Sequence, residues 1–262
     1  MNQLKKRTIS ALTFATIIFI SIEFGFNTFL SLQILIGFIV LSELGKLLDM
    51  SKWIIIHYVL LIPLCYLLII YPFIENIFLA SSLVMHIFLV FNLFNGKIGK
   101  ITRIQKHMIC LTYLIMGFTL FINISIIDGY FDKLVILLIY LIIWLNDLFA
   151  FVIGRKFGKH KLFPSISPNK TWEGIIGSLI LTLVFSIILS NYFLKTNINK
   201  VILISSTISI IGPIGDLIES KFKRQASLKD SGSIMPGHGG LYDRMDGTIL
   251  LGPWLYLLLK FI

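Results

Sequence analysis

The segment Leu134–Ile153, LVILLIYLIIWLNDLFAFVI, decides the fold class because its twenty residues include only one charge. A helix of about 20 apolar residues is long enough to cross the hydrocarbon core of a bilayer. The rest of the chain has the same character, since 56% of its 262 residues are hydrophobic and the mean hydropathy is +0.90. Only 14% of the residues are charged, whereas a typical soluble domain has about 25%. The sequence therefore predicts an all-α, polytopic integral membrane protein.

Apolar runs of comparable length follow one another along the whole chain, and they predict about nine transmembrane helices with edges defined to within a few residues. The predicted spans are Ile9–Ile22, Phe26–Leu44, Trp53–Tyr71, Ile74–Phe94, Met108–Ile127, Leu134–Ile153, Gly174–Phe193, Val201–Ile218 and Thr248–Ile262. The first run follows a basic segment, as in a signal peptide, but it has no evident small-residue cleavage site. We expect it to be a retained span.

The formal net charge of +10 is high enough to suggest nucleic-acid binding, but its distribution indicates a membrane topology instead. When the loops are assigned to alternate sides, one side contains 19 of the 23 lysines and arginines. The other side contains only Lys133, Lys195, Lys200 and Lys260. Because loops rich in lysine and arginine stay in the cytoplasm, we expect a cytoplasmic N-terminus, an external C-terminus and no nucleic-acid partner.

Motifs that carry chemistry are concentrated in one part of the chain. We interpret residues 1–107 as an N-terminal four-helix membrane region, in which the basic loop Gly96–His107 is better explained as a topological anchor than as an anion site. Residues 108–262 are interpreted as a C-terminal catalytic membrane region with a cytoplasm-facing polar site. Cys65 and Cys110 lie inside apolar runs, so neither a disulfide framework nor a zinc site is expected.

The segment Gly215–Gly247, GDLIESKFKRQASLKDSGSIMPGHGGLYDRMDG, contains five acids, five bases, one histidine and six glycines. Charged residues between apolar runs are costly and are therefore functional candidates. Carboxylates bind hard cations through oxygen, basic side chains neutralise phosphate, and glycines let backbone N–H groups approach an anion. This mixture favours phosphoryl-transfer chemistry on an anionic substrate.

Helical spacing puts Asp216, Glu219 and Lys223 on one face of a helix, with Ser220 beside them. The glycines and the proline within residues 212–215 either let a neighbouring backbone approach closely or break this helix inside the membrane. Both alternatives place polar groups next to the end of an apolar span.

Asp243 and Asp246 share a face if their segment is helical, and Arg244 is then turned elsewhere. The preceding run Pro236–Gly240 cannot form a regular helix, and its glycines suit backbone donors that surround a phosphate. Several carboxylates in one place suggest one or two divalent ions, most naturally magnesium bridging substrate phosphates. A network of loop salt bridges is the alternative.

Asp147 lies about two turns before the cytoplasmic end of its span, where we favour a substrate or metal role over a carboxylate that is merely paired with a neighbour. The following loop, Gly154–Gly174, contains five bases and two prolines, which disfavour a helix. Its end is expected to be a structured turn in which Thr171 is the N-cap of the next helix. Lys170, close to that helix N-terminus, makes an anion site reasonable.

The segment Ser220–Asp246 resembles the signature of phosphatidate cytidylyltransferases (CDP-diacylglycerol synthases), in which S-x-x-K-R is followed by K-D, H-G-G and D-R-x-D. The stretches Asp147–Leu162 and Ile166–Gly174 are similar to the family's second conserved region. The strong resemblance covers residues 144–247 and is highly specific because several elements match at fixed spacing. The sequence departs from the family pattern at three positions, where the family often has tyrosine, glycine and a small polar residue: Phe151, Ser227 and Gly247.

The resemblance implies a membrane enzyme that uses CTP, phosphatidate and magnesium to form CDP-diacylglycerol and pyrophosphate. It implies metal-site roles for Asp216, Asp243 and Asp246, with one or two ions. The residues expected to act in catalysis are Asp216, Lys223, Arg224, Lys229, Asp230, His238, Asp243, Arg244 and Asp246. The residues expected to bind substrate are Asp147, Lys159, Ser167, Lys170, Ser220, Gly239 and Gly240.

The expected partners are CTP, phosphatidate and membrane lipid, and a homodimer is compatible with the sequence. The expected location is the inner (plasma) membrane, in a multi-pass arrangement with the active site on the cytoplasmic side. Two alternatives stay open. One is a CTP-dependent transferase acting on another lipid phosphate, such as a prenyl-type one. The other is an anion transporter, which would call for inverted-repeat symmetry, whereas the polar cluster occurs in only one half of the chain.

Overall fold

The computed structural model describes residues 3–50, 53–94, 101–127, 129–190, 197–237 and 239–261. Within these residues every predicted apolar run lies on a helix, which confirms the predicted helical class. The helices are α1 Gln3–Glu23, α2 Phe26–Leu47, α3 Ile54–Ile70, α4 Glu75–Phe94, α5 Arg103–Asn123, α6 Lys133–Phe157, α7 Trp172–Leu189, α8 Ile198–Gln225 and α9 Tyr242–Lys260. A short 3-10 helix, Pro72–Ile74, precedes α4.

Six of these helices, α2 and α4 to α8, are long and apolar enough to cross a membrane. The protein is therefore a polytopic helical membrane protein. The other three differ in simple ways, since α1 begins with a basic segment, α3 has 17 residues, and α9 carries charged residues in its first turns. The number of nine crossings and the orientation of the N-terminus stay predictions.

Two small antiparallel hairpins are exceptions to the all-α prediction. Strands β1 (Ile126–Ile127) and β2 (Tyr130–Phe131) pair after α5, so this helix ends at Asn123 and not at Ile127 as predicted. Strands β3 (Lys161–Phe163) and β4 (Ser167–Thr171) pair between α6 and α7. The second hairpin confirms that no helix runs through this proline-containing loop, and it gives the expected turn a defined form.

Helix α5 contains a π-helical segment, Ile109–Met116, in its middle. A π-helical turn widens the helix and is often found near functional sites. Its residue Tyr113 is fully buried, and its hydroxyl lies 3.2 Å from the hydroxyl of Tyr242 at the start of α9. The widened segment therefore packs directly against the beginning of α9.

A continuous apolar cluster joins the two regions that the sequence analysis separated at residue 107. It contains Ile18 and Leu41 from the first region and Ile136, Ile208 and Leu250 from the second. The two regions thus share one packed core, and their division at residue 107 stays a prediction.

Glycines set the closest helix contacts. A Cβ atom on Gly215 of α8 would lie 2.7 Å from the Asp246 carbonyl oxygen and 2.9 Å from the Cα of Gly247 on α9. A Cβ on Gly117 of α5 would lie 2.9 Å from the carbonyl oxygen of Ile249. Small residues let membrane helices approach closely. The sequence left open whether residues 212–215 break the helix or let a neighbouring backbone approach closely. The structure shows a close approach, because α8 continues through Pro213.

Candidate active site

A cavity of about 470 Å³ lies between α6, α7, α8, α9 and the second hairpin. Apolar side chains from three helices, Ile143, Ile208 and Leu251, line part of its wall. Among the described residues, nine of the predicted site residues line it: Asp147, Ser167, Lys170, Asp216, Lys223, Asp230, Asp243, Arg244 and Asp246. The structure therefore brings residues from four separate parts of the sequence into one space.

The hairpin delivers Lys170 to the cavity. Because β4 ends where α7 begins, the strand carries this lysine toward α8, and its Nζ lies 2.7 Å from Asp216 Oδ2. The same ammonium donates a hydrogen bond of 2.8 Å to the Pro213 carbonyl oxygen. The predicted N-cap is confirmed, since the side chain of Thr171 accepts a 3.2 Å hydrogen bond from Gly174 N. The cap fixes the strand-to-helix junction beside the lysine.

Lys223 joins α8 to α9. Its Nζ lies 2.7 Å from Glu219 Oε2, one helical turn earlier, and 2.6 Å from Asp243 Oδ1. The lysine side chain is only 11% exposed and that of Glu219 only 1%. A buried ammonium needs such partners because an unpaired charge away from water is costly.

Three carboxylates meet where α8 crosses α9. Asp216, Glu219 and Asp246 each offer an oxygen, and these three oxygens lie within 4.8 Å of one another. Neither oxygen of Glu219 accepts a well-oriented hydrogen bond from the described residues. Like charges this close repel one another unless a cation or a proton lies between them, and carboxylate oxygens are the ligands that hard divalent cations prefer. This carboxylate cluster therefore fits a magnesium-type ion.

The predicted metal residues divide between two places. Asp216 and Asp246 belong to the carboxylate cluster, whereas Asp243 faces Lys223 with one oxygen and accepts hydrogen bonds with the other. Glu219 takes the third place in the cluster. Metal binding by any of these residues stays a prediction.

The cavity as a whole is acidic. Six carboxylates and three basic side chains line it among the described residues, an excess of three negative charges when all are ionised. The sequence analysis counted five acids and five bases in the segment Gly215–Gly247, so the acidic excess of the lining comes from the way the fold selects among them. An anionic ligand would be repelled here unless cations bind with it.

Six of the described residues predicted for the site lie outside the cavity lining: Lys159, Ser220, Arg224, Lys229, Gly239 and Gly240. Ser220 lies behind the lining and donates a 3.2 Å hydrogen bond to Asp216 Oδ1. Arg224 donates from Nε to the Ile166 carbonyl at 3.3 Å and from Nη1 to the Leu228 carbonyl at 3.1 Å, so it ties the hairpin to the end of α8. Lys159 and Lys229 are exposed. Catalytic or substrate contacts of these six residues stay predictions.

The glycine-rich segment binds a carboxylate of its own chain. Gly240 N donates a 2.7 Å hydrogen bond to Asp243 Oδ2, and Ser231 N donates to the same oxygen at 3.0 Å. Gly239 has a φ of 91°, which glycine adopts readily, and a Cβ there would lie 2.6 Å from that oxygen. Gly240 N, one of the donors expected to surround a phosphate, therefore binds Asp243, whereas Gly239 N donates to the Met235 carbonyl oxygen at 3.2 Å. Phosphate binding by Gly239 and Gly240 stays a prediction. The predicted residue His238 lies outside the described residues.

Sequence reasoning did not assign roles to several residues that shape the site. Glu219 had been placed on the correct helix face without a role as a ligand. Glu43, near the end of α2, accepts hydrogen bonds from Ser231 Oγ and from Tyr242 N at the start of α9, although no motif in the N-terminal region indicated it. An acid at the end of an apolar run is a signal that could have identified Glu43. Ser231 carries no such signal.

Comparison with known proteins identifies the family. The sequence model of the cytidylyltransferase family matches residues 5–262. This chain belongs to the cytidylyltransferase family. The family match includes α1 to α4, where the resemblance seen in the sequence was weak.

Individual relatives of this chain carry a more specific name. The phosphatidate cytidylyltransferase of Staphylococcus haemolyticus (strain JCSC1435) is 48% identical over 126 residues, which are 47% of this chain and 48% of the relative. That of Staphylococcus aureus (strain COL) has the same identity and coverage. That of Staphylococcus epidermidis (strain ATCC 12228 / FDA PCI 1200) is 45% identical over 125 residues. The chain thus matches these relatives over about half of their length.

Proposed function

We propose that this protein transfers a cytidylyl group from CTP to phosphatidate and forms CDP-diacylglycerol and pyrophosphate, as a step in phospholipid biosynthesis. The observation that carries the proposal is the carboxylate cluster of Asp216, Glu219 and Asp246 beside Lys170 and Lys223 in one cavity. The relatives named phosphatidate cytidylyltransferase support the choice of substrates.

The proposed reaction joins two anions. A phosphate oxygen of phosphatidate attacks the α-phosphorus of CTP, and the bond from that phosphorus to the oxygen bridging to the β-phosphate breaks. Pyrophosphate leaves with the bonding electrons. Because the attacking oxygen belongs to a phosphate that is largely ionised near neutral pH, the chain needs no serine, cysteine or histidine nucleophile. Its work is to position the substrates and to stabilise charge.

Basic side chains on the cavity lining are assigned to the phosphates. Lys170 is held by Asp216 on the hairpin side, and Lys223 is held by Glu219 and Asp243 on the helix side. Both ammonium groups therefore have defined positions before substrate binds, which is the condition for preorganised electrostatic stabilisation. Arg244 lines the same cavity and is exposed, which suits contact with the outer phosphates of CTP.

The acidic excess of the lining is the reason to propose magnesium as well. Asp216, Glu219 and Asp246 would hold one ion, and Asp243 is close enough in sequence and in space to contribute to a second. When bound, magnesium would supply positive charge that offsets the charge of the substrate phosphates. Asp216 also keeps Lys170 in place, and Glu219 and Asp243 do the same for Lys223, so these three carboxylates have a second role in the same site.

The apolar part of the cavity is assigned to the lipid. Ile143, Ile208 and Leu251 offer a surface that suits the glycerol and the first methylenes of the acyl chains. Phe151, which is 63% exposed, lies at the edge of the same cavity. Substrate with one charged and one apolar end matches a cavity with one charged and one apolar wall.

The proposal is tested with the purified protein in detergent and radiolabelled CTP. We expect label to enter lipid with phosphatidate as acceptor and pyrophosphate to appear in equal amount. If a prenyl phosphate is labelled efficiently and phosphatidate is not labelled, the alternative transferase, which acts on another lipid phosphate, is favoured. Phosphate flux in proteoliposomes without release of pyrophosphate would favour the transporter and overturn the proposal.

We further propose nine alternating crossings with a cytoplasmic N-terminus and a cytoplasmic active site in the plasma membrane. Contacts at the cavity end support the alternation. Arg7, near the start of α1, donates to the Gly237 carbonyl at 2.9 Å, and Glu43, near the end of α2, accepts from Tyr242 N at 2.7 Å. The start of α1, the end of α2 and the start of α9 thus lie together. This is the arrangement expected when each of the seven helices between α1 and α9 crosses the membrane once.

Contacts at the other end are consistent with the same arrangement. Glu23, at the end of α1, pairs with Lys133 at the start of α6. Glu75, at the start of α4, pairs with Lys260 at the end of α9. Each pair joins ends that an alternating nine-helix topology places on the external side. A homodimer stays a prediction.

A further inference from the structure

Glu43 is a buried carboxylate that lies outside the cavity lining, on a helix of the N-terminal region. Only 2% of it is exposed. Its Oε1 accepts a 3.1 Å hydrogen bond from Leu241 N, and its Oε2 accepts one of 2.7 Å from Tyr242 N and one of 2.9 Å from Ser231 Oγ. In the described part of the chain no salt bridge joins it to a basic side chain. Its partners in the described residues are therefore two backbone N–H groups and one hydroxyl.

The donors to Glu43 are the first backbone groups of α9. The first N–H groups of a helix lack partners within the helix, and a negative charge near them is favourable. Leu241, the N-cap of α9, makes no side-chain cap of its own. Glu43 supplies this cap from α2. It thereby fixes the start of the helix that presents Asp243 and Asp246.

Ser231 extends this contact to the cavity. Its hydroxyl lies 2.9 Å from Glu43 Oε2 and 3.0 Å from Asp243 Oδ2, and its backbone N–H donates to the same Asp243 oxygen. The other oxygen of Asp243 faces Lys223 at 2.6 Å. A chain of hydrogen bonds thus leads from α2 through Ser231 and α9 to the ammonium on α8.

The space around Glu43 is shaped for its carboxylate. A Cβ on Gly240 would overlap Glu43 Oε2 and Ser231 Oγ, and a Cβ on Gly232 would overlap Glu43 Oε1. The carboxylate therefore lies between Gly232 and Gly240, and neither position has room for a side chain. Such a fit holds the carboxylate in one position.

We propose that Glu43 is a positioning residue of the cytidylyl-transfer site. It caps α9 and orients Ser231, and so it holds Asp243 against Lys223 without touching substrate. This inference rests on the proposed function. It gives the N-terminal region a defined part in the reaction.

The test compares Glu43→Gln with Glu75→Gln in steady-state kinetics of CTP incorporation into phosphatidate. The amide offers one acceptor in place of two and turns its NH₂ group toward a donor. Because small displacements of catalytic groups are costly, we expect kcat to fall about 10–100-fold while both KM values change less than about threefold. Glu75 is also partly buried and bonded to Tyr256 and Lys260, but these partners lie in the last two turns of α9, at the end away from Asp243 and Asp246. Its variant should keep kcat within about twofold.

Ser231→Ala is the second variant, and it decides the matter if Glu43→Gln does not fold. It removes only the hydroxyl between the two carboxylates, so we expect kcat to fall about tenfold with little change in KM. A folded Glu43→Gln or Ser231→Ala protein with wild-type kcat overturns the proposal. So does a loss of kcat in Glu43→Gln no larger than that in Glu75→Gln. If wild type and Glu75→Gln both fail to transfer the cytidylyl group, the proposed function itself falls.

Discussion

At the scale of single residues, the site depends on carboxylates that serve two purposes. Asp216 pairs with Lys170 and also belongs to the carboxylate cluster, and Glu219 pairs with Lys223 while belonging to it as well. Cation binding at the cluster would therefore be coupled to lysine placement, because a change in either alters the field at the other. Such coupling would reconcile a cavity with more acids than bases with the two phosphate substrates that we propose.

Ser227 is a residue whose backbone conformation conflicts with its side chain. Its φ is 57°, and it follows the end of α8 in a Schellman arrangement, in which Leu228 N donates to the Lys223 carbonyl at 2.8 Å and Ser227 N to the Arg224 carbonyl at 3.1 Å. Glycine adopts this conformation without the strain that a Cβ creates. Serine in place of the family's usual glycine at this position therefore destabilises the folded state.

We predict that Ser227→Gly raises the free energy of unfolding by about 0.5–1 kcal/mol, because the relief of strain exceeds the entropy that glycine adds to the unfolded chain. Thermal unfolding of the detergent-solubilised protein measures the effect. Ser206→Gly is the matched control, since Ser206 lies inside α8. This control should lose about 0.5–1 kcal/mol. A lower unfolding temperature for Ser227→Gly would contradict the account.

The sequence predicted the site residues unequally. Asp216, Asp243 and Asp246 were recognisable because acids next to apolar runs are costly without a role. Their division between a carboxylate cluster and a lysine pair was not predictable, because it depends on the angle at which α8 and α9 cross. Glu43 acts across almost 200 positions of sequence, and no local pattern relates it to Tyr242.

At the scale of elements, the crossing of α8 and α9 sets the geometry of the site. Gly215 lies against Gly247, and this contact brings Asp216 next to Asp246. Gly212, one turn earlier on α8, has more room, since a Cβ there would meet only Leu251 Cδ1 at 3.9 Å. A methyl group is thus expected to fit at Gly212 but not at Gly215.

We predict that Gly215→Ala lowers the free energy of unfolding by about 1–3 kcal/mol, because the added methyl group separates two backbones that are in contact. Activity should fall at the same time, since Asp246 moves away from Asp216. Gly212→Ala is the control and should unfold at the wild-type temperature or above it. Unfolding curves and CTP incorporation measure both variants. Equal behaviour of the two would show that the crossing is not as close as described.

Helices were easier to predict than the other elements. Each of the nine apolar runs predicted a helix because the membrane leaves few alternatives for the backbone. The hairpin of β3 and β4 was expected only as a turn, since strands of three and five residues produce no clear pattern. The π-helical segment Ile109–Met116 has no sequence signal at all, because it depends on packing against neighbouring helices.

At the scale of the whole molecule, the distribution of charge and the helix contacts point to the same topology. Basic residues gather on the side that contains the ends of α6 and α8 and the start of α9. CTP would approach from this side, and phosphatidate would approach from the adjoining leaflet. Both substrates can then reach one cavity only if that side is the cytoplasmic one.

The topology is tested by cysteine labelling in intact cells, after Cys65 and Cys110, which are buried, are replaced by alanine. An impermeant maleimide should label Asn199→Cys directly and Lys156→Cys only after the cells are permeabilised, since both positions are exposed but lie on opposite predicted sides. A C-terminal reporter should lie outside. Labelling of Lys156→Cys in intact cells, or a cytoplasmic reporter, would refute the proposed topology.

The most direct measurement is magnesium-dependent transfer of label from CTP to phosphatidate by wild type, Asp243→Asn, Asp246→Asn and the exposed control Asp49→Asn. The account predicts full activity for wild type and the control only when magnesium is present. It predicts a loss of at least about 100-fold for the two site variants, because each removes a charge that orients a cation or a lysine. Membrane insertion should be unchanged in all four. Near-normal activity of both Asp243→Asn and Asp246→Asn, or full wild-type activity in a metal chelator, would contradict the account.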